Sequence, residues 1–268
     1  MNFINRPIVI DDNEVCIYGI FRGIENSKKI VVFIPALTGT RIGPQRMFVE
    51  ISNHLNKLKI STVCFDLPLS GDSFDKKKLE HSSLRIYYDY YLLKIYNKVK
   101  QKHQQSEIIF CSISVGCMPT LEFSERHRLD KVLLLSPNHL SKKTTVINKR
   151  NIYAYFIKLF QLRTWEKFFL FNINFNKIFF NIFNMEGKVK TSNIKKNNSL
   201  GNVGKVNLLC VFGKNDPELQ ENLSFWAILN KQNRFISYKE DIVSNSDHSF
   251  MSWGSKMNLI NHINDWLN

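Results

Sequence analysis

The chain has 268 residues, enough for one large α/β domain or two small ones. Hydrophobic residues make up 44% of it and charged residues 22%, as in folded soluble proteins. No apolar run reaches the roughly 18 to 20 residues that a membrane-spanning helix needs, so no transmembrane segment is predicted. The N-terminal stretch MNFINRPIVIDDNEV has no basic region before an apolar core and a small-residue cleavage site, so no signal peptide is predicted.

The net charge of +14 is concentrated in one segment. Between residues 141 and 205, thirteen Lys and Arg residues stand against two acids, which leaves a net charge of +11. A Lys-, Asn- and Ile-rich composition of the kind an AT-rich genome produces explains this excess without any function. The alternative is that the segment attracts an anionic partner.

The cysteines indicate a reducing compartment. None of the five has C-x-x-C metal spacing, and an odd number in apolar runs is typical of reduced thiols in a cytoplasmic protein. The predicted buried thiols are Cys16, Cys64, Cys111, Cys117 and Cys210.

Strand-like and helix-like segments alternate over most of the chain. Strands are predicted at 7–10, 15–21, 29–36, 60–68, 107–112, 130–137, 206–213 and 234–240. Helices are predicted at 46–58, 83–101, 117–127, 217–230 and 255–267. Apolar strands alternating with helices predict an α/β fold, with a mostly parallel central sheet and helices on both faces.

The alternation breaks between residues 138 and 205, a span too long for a simple connection. We predict that 138–205 forms a helical, basic, aromatic-rich cap over one end of the sheet. The core is then formed by 1–137 and 206–268.

The segment EIIFCSISVGCMPTLEF places Ser114 where an apolar strand meets a helix. A serine on such a tight turn is exposed on a strained backbone only if the residues two before and two after it are small. Ser112 and Gly116 occupy those positions. The S-x-S-x-G pattern also fits an ordinary strand–helix turn, and Ser112 is the weaker nucleophile candidate because its glycine follows four residues later.

A serine hydroxyl needs a base to take its proton, and the base needs a group that orients it. Asp216 follows the predicted strand 206–213, and His248 lies between the last strand and the last helix. Because active groups gather at the carboxyl ends of parallel strands, we predict a triad of Ser114 as nucleophile, His248 as base and Asp216 as orienting acid. Asp247 is expected to point elsewhere.

The oxyanion of an acyl-transfer intermediate needs two N–H donors. The backbone of Val115 follows the nucleophile at a helix N-terminus and is the first predicted donor. Leu37, in the loop PALTGT after the strand 29–36, is the second.

Four blocks together resemble the α/β-hydrolase superfamily: VVFIPALTGT, FDLPLSGDS, FCSISVG with VFGKNDP, and DHSF. More narrowly, RIGPQRMF followed by CFDLPLSGDS is similar to the exosortase-A-system-associated hydrolases. The residues that match that family's pattern are Arg41, Gly43, Arg46, Phe48, Asp66, Gly71, Asp72 and Ser73. The resemblance implies an α/β-hydrolase fold, a Ser-Asp-His hydrolase, and Leu37 with Val115 as the oxyanion pair.

Two departures from the superfamily pattern concern loop geometry. Pro35 and Ala36 replace the usual His-Gly before the oxyanion loop, and Ser112 replaces the first glycine of the serine turn. Both leave the triad untouched and leave the substrate class open.

The leading hypothesis is a hydrolase that cleaves a carboxylic ester or thioester of a small molecule through an acyl-enzyme on Ser114, with no metal or organic cofactor. The candidate substrate-binding residues are Arg41, Phe156, Phe160, Phe168 and Phe169. The cap aromatics also fit plain packing of cap onto core.

Two alternatives depend on the basic cap. Docking of an acidic acyl carrier protein would make the enzyme a carrier-protein thioesterase or an acyltransferase that uses the same triad. Adsorption of the cap to anionic lipid would make the protein a membrane-surface protein. Nucleic-acid binding is disfavoured, because the basic segment has no helix-turn-helix, zinc or RNP-like signature. The oligomeric state is left open.

Overall fold

The computed structural model of the chain describes residues 3–37, 39–68, 70–77, 83–138 and 204–268. Within these ranges nine strands form one sheet, accompanied by five α-helices. The strands are β1 (Ile4–Asp11), β2 (Val15–Gly23), β3 (Lys29–Ile34), β4 (Ser61–Phe65), β5 (Phe74–Asp75), β6 (Glu107–Ile113), β7 (Lys131–Leu135), β8 (Asn207–Gly213) and β9 (Ser237–Val243). The helices are α1 (Met47–Lys57), α2 (Leu84–Lys102), α3 (Cys117–Arg126), α4 (Leu219–Lys231) and α5 (Trp253–Leu267).

The sheet is mostly parallel, as predicted. Its strand order is β1-β2-β4-β3-β6-β7-β8-β9, and β5 pairs with β2 outside this path. The pairs from β4 through β9 are parallel, whereas β2 is antiparallel to each of its partners β1, β4 and β5. Because the six parallel strands run in one direction, the loops that follow them all leave the same edge of the sheet.

Alternate residues of each central strand face opposite layers. In β3, Val32 packs into the core cluster that contains Tyr88 of α2, whereas Val31 and Phe33 pack into the cluster that contains Leu259 of α5. This alternation follows from the two-residue period of a strand. It places helices on both faces of the sheet and confirms the predicted fold class.

The last strand differs from its predicted position. It spans Ser237–Val243 rather than 234–240. Arg234 lies outside it and donates two hydrogen bonds of 2.6 Å, from Nε and Nη2, to the carboxylate of Glu125. The segment from 234 to 243 has apolar residues near both ends, so the pattern alone does not determine which part pairs with β8.

The predicted cap lies almost entirely outside the described residues, since 139–203 of the span 138–205 are not described. Its boundaries, and the roles of Phe156, Phe160, Phe168 and Phe169, stay predictions. Among the residues that are described, no helix has both the length and the apolar content needed to cross a bilayer.

Candidate active site

Ser114 follows β6 directly, on a strained backbone. Ile113 is extended, with φ −127° and ψ 143°, and Ser114 then adopts φ 56°, in the left-handed region. A non-glycine residue there costs about 1–2 kcal/mol. The chain continues as a short 3-10 turn over Ser114–Gly116 and then as α3. The serine is partly exposed at the edge of the sheet where the parallel strands end.

The neighbours of Ser114 leave room for small side chains only. A Cβ on Gly116 would lie 3.0 Å from the hydroxyl oxygen of Tyr88, which donates a 3.1 Å hydrogen bond to the carbonyl of Pro35. Ser112 is fully buried, and its Oγ has no hydrogen-bond partner among the described residues. Ser112 is therefore placed as a small filling residue, and Ser114 is the serine that faces outward.

Asp216 lies three residues beyond the end of β8. Its side chain is only 2% exposed, and Oδ1 accepts a 3.0 Å hydrogen bond from the N–H of Glu218. This turn orients the carboxylate and delays the start of α4 to Leu219, two residues later than predicted. The second oxygen, Oδ2, lies 2.6 Å from Nδ1 of His248.

His248, in the loop after β9, joins the other two predicted residues. Its Nδ1 faces Asp216, and its Nε2 lies 3.0 Å from Oγ of Ser114. A carboxylate accepting from Nδ1–H leaves the lone pair of Nε2 directed at the serine hydroxyl. The three side chains that the sequence predicted as a triad thus form one hydrogen-bonded chain, which provides a route for the serine proton.

Asp247, the neighbour of His248, has a different contact set. Its Oδ1 accepts hydrogen bonds from the N–H groups of Ser249, at 3.2 Å, and Met251, at 3.0 Å. This carboxylate therefore shapes the loop that carries His248 rather than contacting the imidazole.

The two loops that carry Asp216 and His248 are in direct backbone contact. The N–H of Asn215 donates to the carbonyl of Ser246 at 2.8 Å. A Cβ on Gly213 would lie 2.2 Å from the carbonyl oxygen of Asp247, closer than any side chain can approach. Only glycine at 213 allows this contact, and nothing in the sequence pattern indicated it.

Gly213→Ala is therefore expected to push the two loops apart. We expect a loss of about 1–3 kcal/mol of unfolding free energy. The rate of any reaction that uses Ser114 and His248 should fall at least about tenfold, because a 1 Å displacement of reacting groups costs about 10²-fold. Thermal unfolding and initial rates on a p-nitrophenyl ester measure the two effects. Gly254→Ala in α5, where a Cβ meets nothing within 4 Å, is the matched control. It should lower neither the unfolding free energy nor the rate. A Gly213→Ala enzyme with normal kcat would contradict the contact.

The two predicted oxyanion donors follow neighbouring strands of the sheet, Leu37 after β3 and Val115 after β6. In β3 and β6, Ile34 is paired with Ser112, so the segments that follow these strands leave the sheet side by side. Leu37 lies within a turn closed by a 2.8 Å hydrogen bond from the N–H of Gly39 to the carbonyl of Ala36, which does not use the Leu37 N–H. Val115 is the second residue of the 3-10 turn, and the first N–H groups of a helix have no partner within it.

Arg41, a candidate substrate-binding residue, is held by two carboxylates. Its guanidinium bonds to Asp66 through Nη1 and to Asp72 through Nη2, the latter at 2.6 Å. The sequence had grouped these residues only as part of a family pattern. A contact between Arg41 and substrate stays a prediction.

The five cysteines are free and buried. Burial raises the pKa of Cys117, three residues after Ser114, to about 12, and that of Cys64 to about 11. Cys117 is thus a neutral thiol near pH 7 and is a poor nucleophile. In the parts of the chain that are described, no group of three His, Cys, Asp or Glu side chains is arranged to hold a metal ion.

Models of known protein families do not match the chain, and neither do curated protein sequences. Solved structures do. An esterase from Pyrococcus furiosus, PF2001, matches with a TM-score of 0.65 and 15% identity over 99% of this chain and 90% of that one. An α/β serine hydrolase homologue from Coxiella burnetii matches with a TM-score of 0.60 and 14% identity over 98% and 97% of the two chains. A dienelactone hydrolase from Anabaena variabilis matches with a TM-score of 0.59 and 12% identity over 98% and 96%.

At these identities the likeness establishes the fold, and the chain has the α/β-hydrolase fold that its sequence predicted. The narrower likeness to the exosortase-A-system-associated hydrolases is not tested by these matches and stays a prediction.

Proposed function

We propose that the protein is a serine hydrolase that cleaves a carboxylic ester or thioester through an acyl-enzyme on Ser114. The observation that carries the proposal is the hydrogen-bonded chain from Oγ of Ser114 through His248 to Asp216, with contacts of 3.0 and 2.6 Å. That three of the similar structures are an esterase, a serine hydrolase homologue and a dienelactone hydrolase supports the same class of reaction.

In the acylation step, Oγ of Ser114 attacks the carbonyl carbon while Nε2 of His248 takes the hydroxyl proton. The π electrons of the carbonyl move onto its oxygen, and the N–H groups of Leu37 and Val115 would donate hydrogen bonds to the resulting oxyanion. When the intermediate collapses, the bond to the leaving alcohol or thiol breaks. The proton on His248 passes to that leaving group, and the acyl group stays on Ser114.

In the deacylation step, water takes the place of the leaving group. His248 removes a proton from the water as its oxygen attacks the acyl carbon, and collapse of the second intermediate returns that proton to Oγ of Ser114. The carboxylic acid is released and the enzyme is regenerated. Asp216 holds the imidazole in the required tautomer and stabilises the imidazolium in both steps. Water is the only co-reactant that this sequence of steps consumes.

The other hypotheses about the acceptor and the partner depend on the basic cap. An acyl carrier protein partner, acyl transfer in place of hydrolysis, and adsorption to anionic membranes all invoke residues within 139–203, outside the described ranges. They stay predictions.

The proposal is tested by covalent labelling with a fluorophosphonate, which reacts with activated serines. We expect labelling of the native protein, with the phosphonyl group located on Ser114 by peptide mass spectrometry. Ser112→Ala is the matched control, because Ser112 lies two residues away and is fully buried; it should still be labelled. A modification found on another residue would contradict the assignment. Rates on p-nitrophenyl esters and on acyl thioesters of matched chain length would then separate the two substrate classes.

A further inference from the structure

A buried carboxylate connects the loop after β3 with the loop after β4. Asp66 follows β4 and is 0% exposed. Its Oδ1 accepts the backbone N–H of Arg41 at 2.6 Å, and its Oδ2 accepts the backbone N–H of Asp72 at 3.0 Å as well as a bond from the Arg41 guanidinium. A buried carboxylate is tolerated only when it is compensated in this way.

The loop around Asp66 is built for close contact with it. Gly71 adopts φ 64°, and a Cβ there would lie 2.2 Å from the Asp66 carboxylate. The guanidinium of Arg41, with its side chain 25% exposed, spans from Asp66 to Asp72. Arg41 therefore joins the loop after β3 to the loop after β4.

These contacts hold the downstream end of the turn that contains Leu37. Gly39, which closes that turn, accepts a hydrogen bond at its carbonyl from the hydroxyl of Ser70 in the Asp66 loop. Two residues further on, Arg41 is fixed through both its N–H and its side chain. The upstream end is held where the hydroxyl of Tyr88 donates to Pro35.

We propose that Arg41 is a positioning residue, whose ion pair with Asp66 sets the turn that directs the Leu37 N–H at the developing oxyanion. The inference rests on the proposed function, because Leu37 acts only if Ser114 forms a tetrahedral intermediate. An oxyanion donor has to lie about 2.7–3.1 Å from the oxyanion. Loosening the turn is therefore expected to weaken binding of the transition state more than binding of the ground-state ester.

The test compares Arg41→Gln with Arg234→Gln. Arg234 bonds to Glu125 through two 2.6 Å contacts, and this pair is buried to a similar degree, with side-chain exposures of 27% and 4% against 25% and 0% for Arg41 and Asp66. Arg234 precedes β9 and so lies at the opposite edge of the sheet from Ser114. The two variants remove the same kind of ion pair at different distances from the reaction.

For Arg41→Gln we expect kcat on a p-nitrophenyl ester to fall by about 10- to 100-fold, with KM within about threefold. Inhibition by butylboronic acid, whose tetrahedral adduct with Ser114 places an oxygen at the oxyanion position, should weaken by a similar factor. Arg234→Gln should lower the melting temperature comparably and leave kcat and boronate binding unchanged. A positioning role lowers kcat and weakens boronate binding, whereas a purely structural role lowers only the melting temperature.

A kcat of Arg41→Gln within threefold of wild type, or equal losses of kcat in both variants, would overturn the inference. If Arg41→Gln does not fold, the double variant Arg41→Gln/Asp66→Asn replaces it, because it removes the ion pair without leaving a buried charge unpaired. That variant should lose about threefold or more in kcat at unchanged KM, and a wild-type kcat would overturn the inference equally. Ser114→Ala separates the two proposals, because retained activity there would reject the proposed function itself.

Discussion

Ser114→Ala is expected to lower kcat on ester substrates by about 10⁴- to 10⁶-fold, because it removes the atom that forms the acyl-enzyme. The fold should be unaffected. Alanine and serine are both strained to a similar extent at the left-handed φ of 56°. Within the described ranges the lost hydroxyl bonds only to a partly exposed imidazole. Initial rates on p-nitrophenyl butyrate, with thermal unfolding measured on the same samples, give both quantities.

The control for Ser114→Ala is Ser112→Ala. The Ser112 hydroxyl is buried without a hydrogen-bond partner in the described part of the chain, so its removal should change kcat by less than about threefold. If Ser114→Ala keeps the wild-type rate, or if Ser112→Ala abolishes it, the nucleophile has been assigned to the wrong serine.

Asp216→Asn is expected to lower kcat by about 10⁴-fold. An amide in place of the carboxylate that lies 2.6 Å from Nδ1 no longer requires a proton on Nδ1. The imidazole can then present Nε2–H, rather than a lone pair, to Oγ of Ser114. The unfolding free energy should change little, because asparagine keeps the oxygen that accepts from Glu218. Steady-state rates with saturating ester measure the effect.

Asp247→Asn provides the matched control for Asp216→Asn. Asparagine retains the oxygen that accepts the N–H groups of Ser249 and Met251, so we expect a loss of less than about tenfold. A larger loss in Asp247→Asn than in Asp216→Asn would mean that the acid of the triad is Asp247, contrary to the proposal.

The sequence by itself determined the fold class and the positions from which the candidate site is built. Unbroken apolar strands that alternate with helices predicted a mostly parallel sheet covered on both faces, which the structure confirms. In a parallel sheet the residues that follow each strand share one edge. That rule made Ser114, Asp216 and His248 predictable as neighbours although they are separated by up to 134 residues.

The position of the outermost strand, β9, was less predictable. The position of β9 was displaced by three residues, because Arg234, at the start of the predicted strand, instead bonds to Glu125, 109 residues away. A local pattern contains no information about such a partner.

Only the tertiary structure decided how the loops around Ser114 are held. The approach of Gly213 to Asp247 and the bond from Tyr88 to Pro35 depend on backbone positions that no residue pattern specifies. The same is true of Arg41, which as a sequence position is an arginine near a predicted oxyanion loop. Its role depends on where the buried Asp66 lies, 25 residues along the chain. A periodic pattern shows which face of an element is buried, whereas the partner of a buried charge is selected by the packing of segments distant in the chain, where leaving that charge unpaired would cost several kcal/mol.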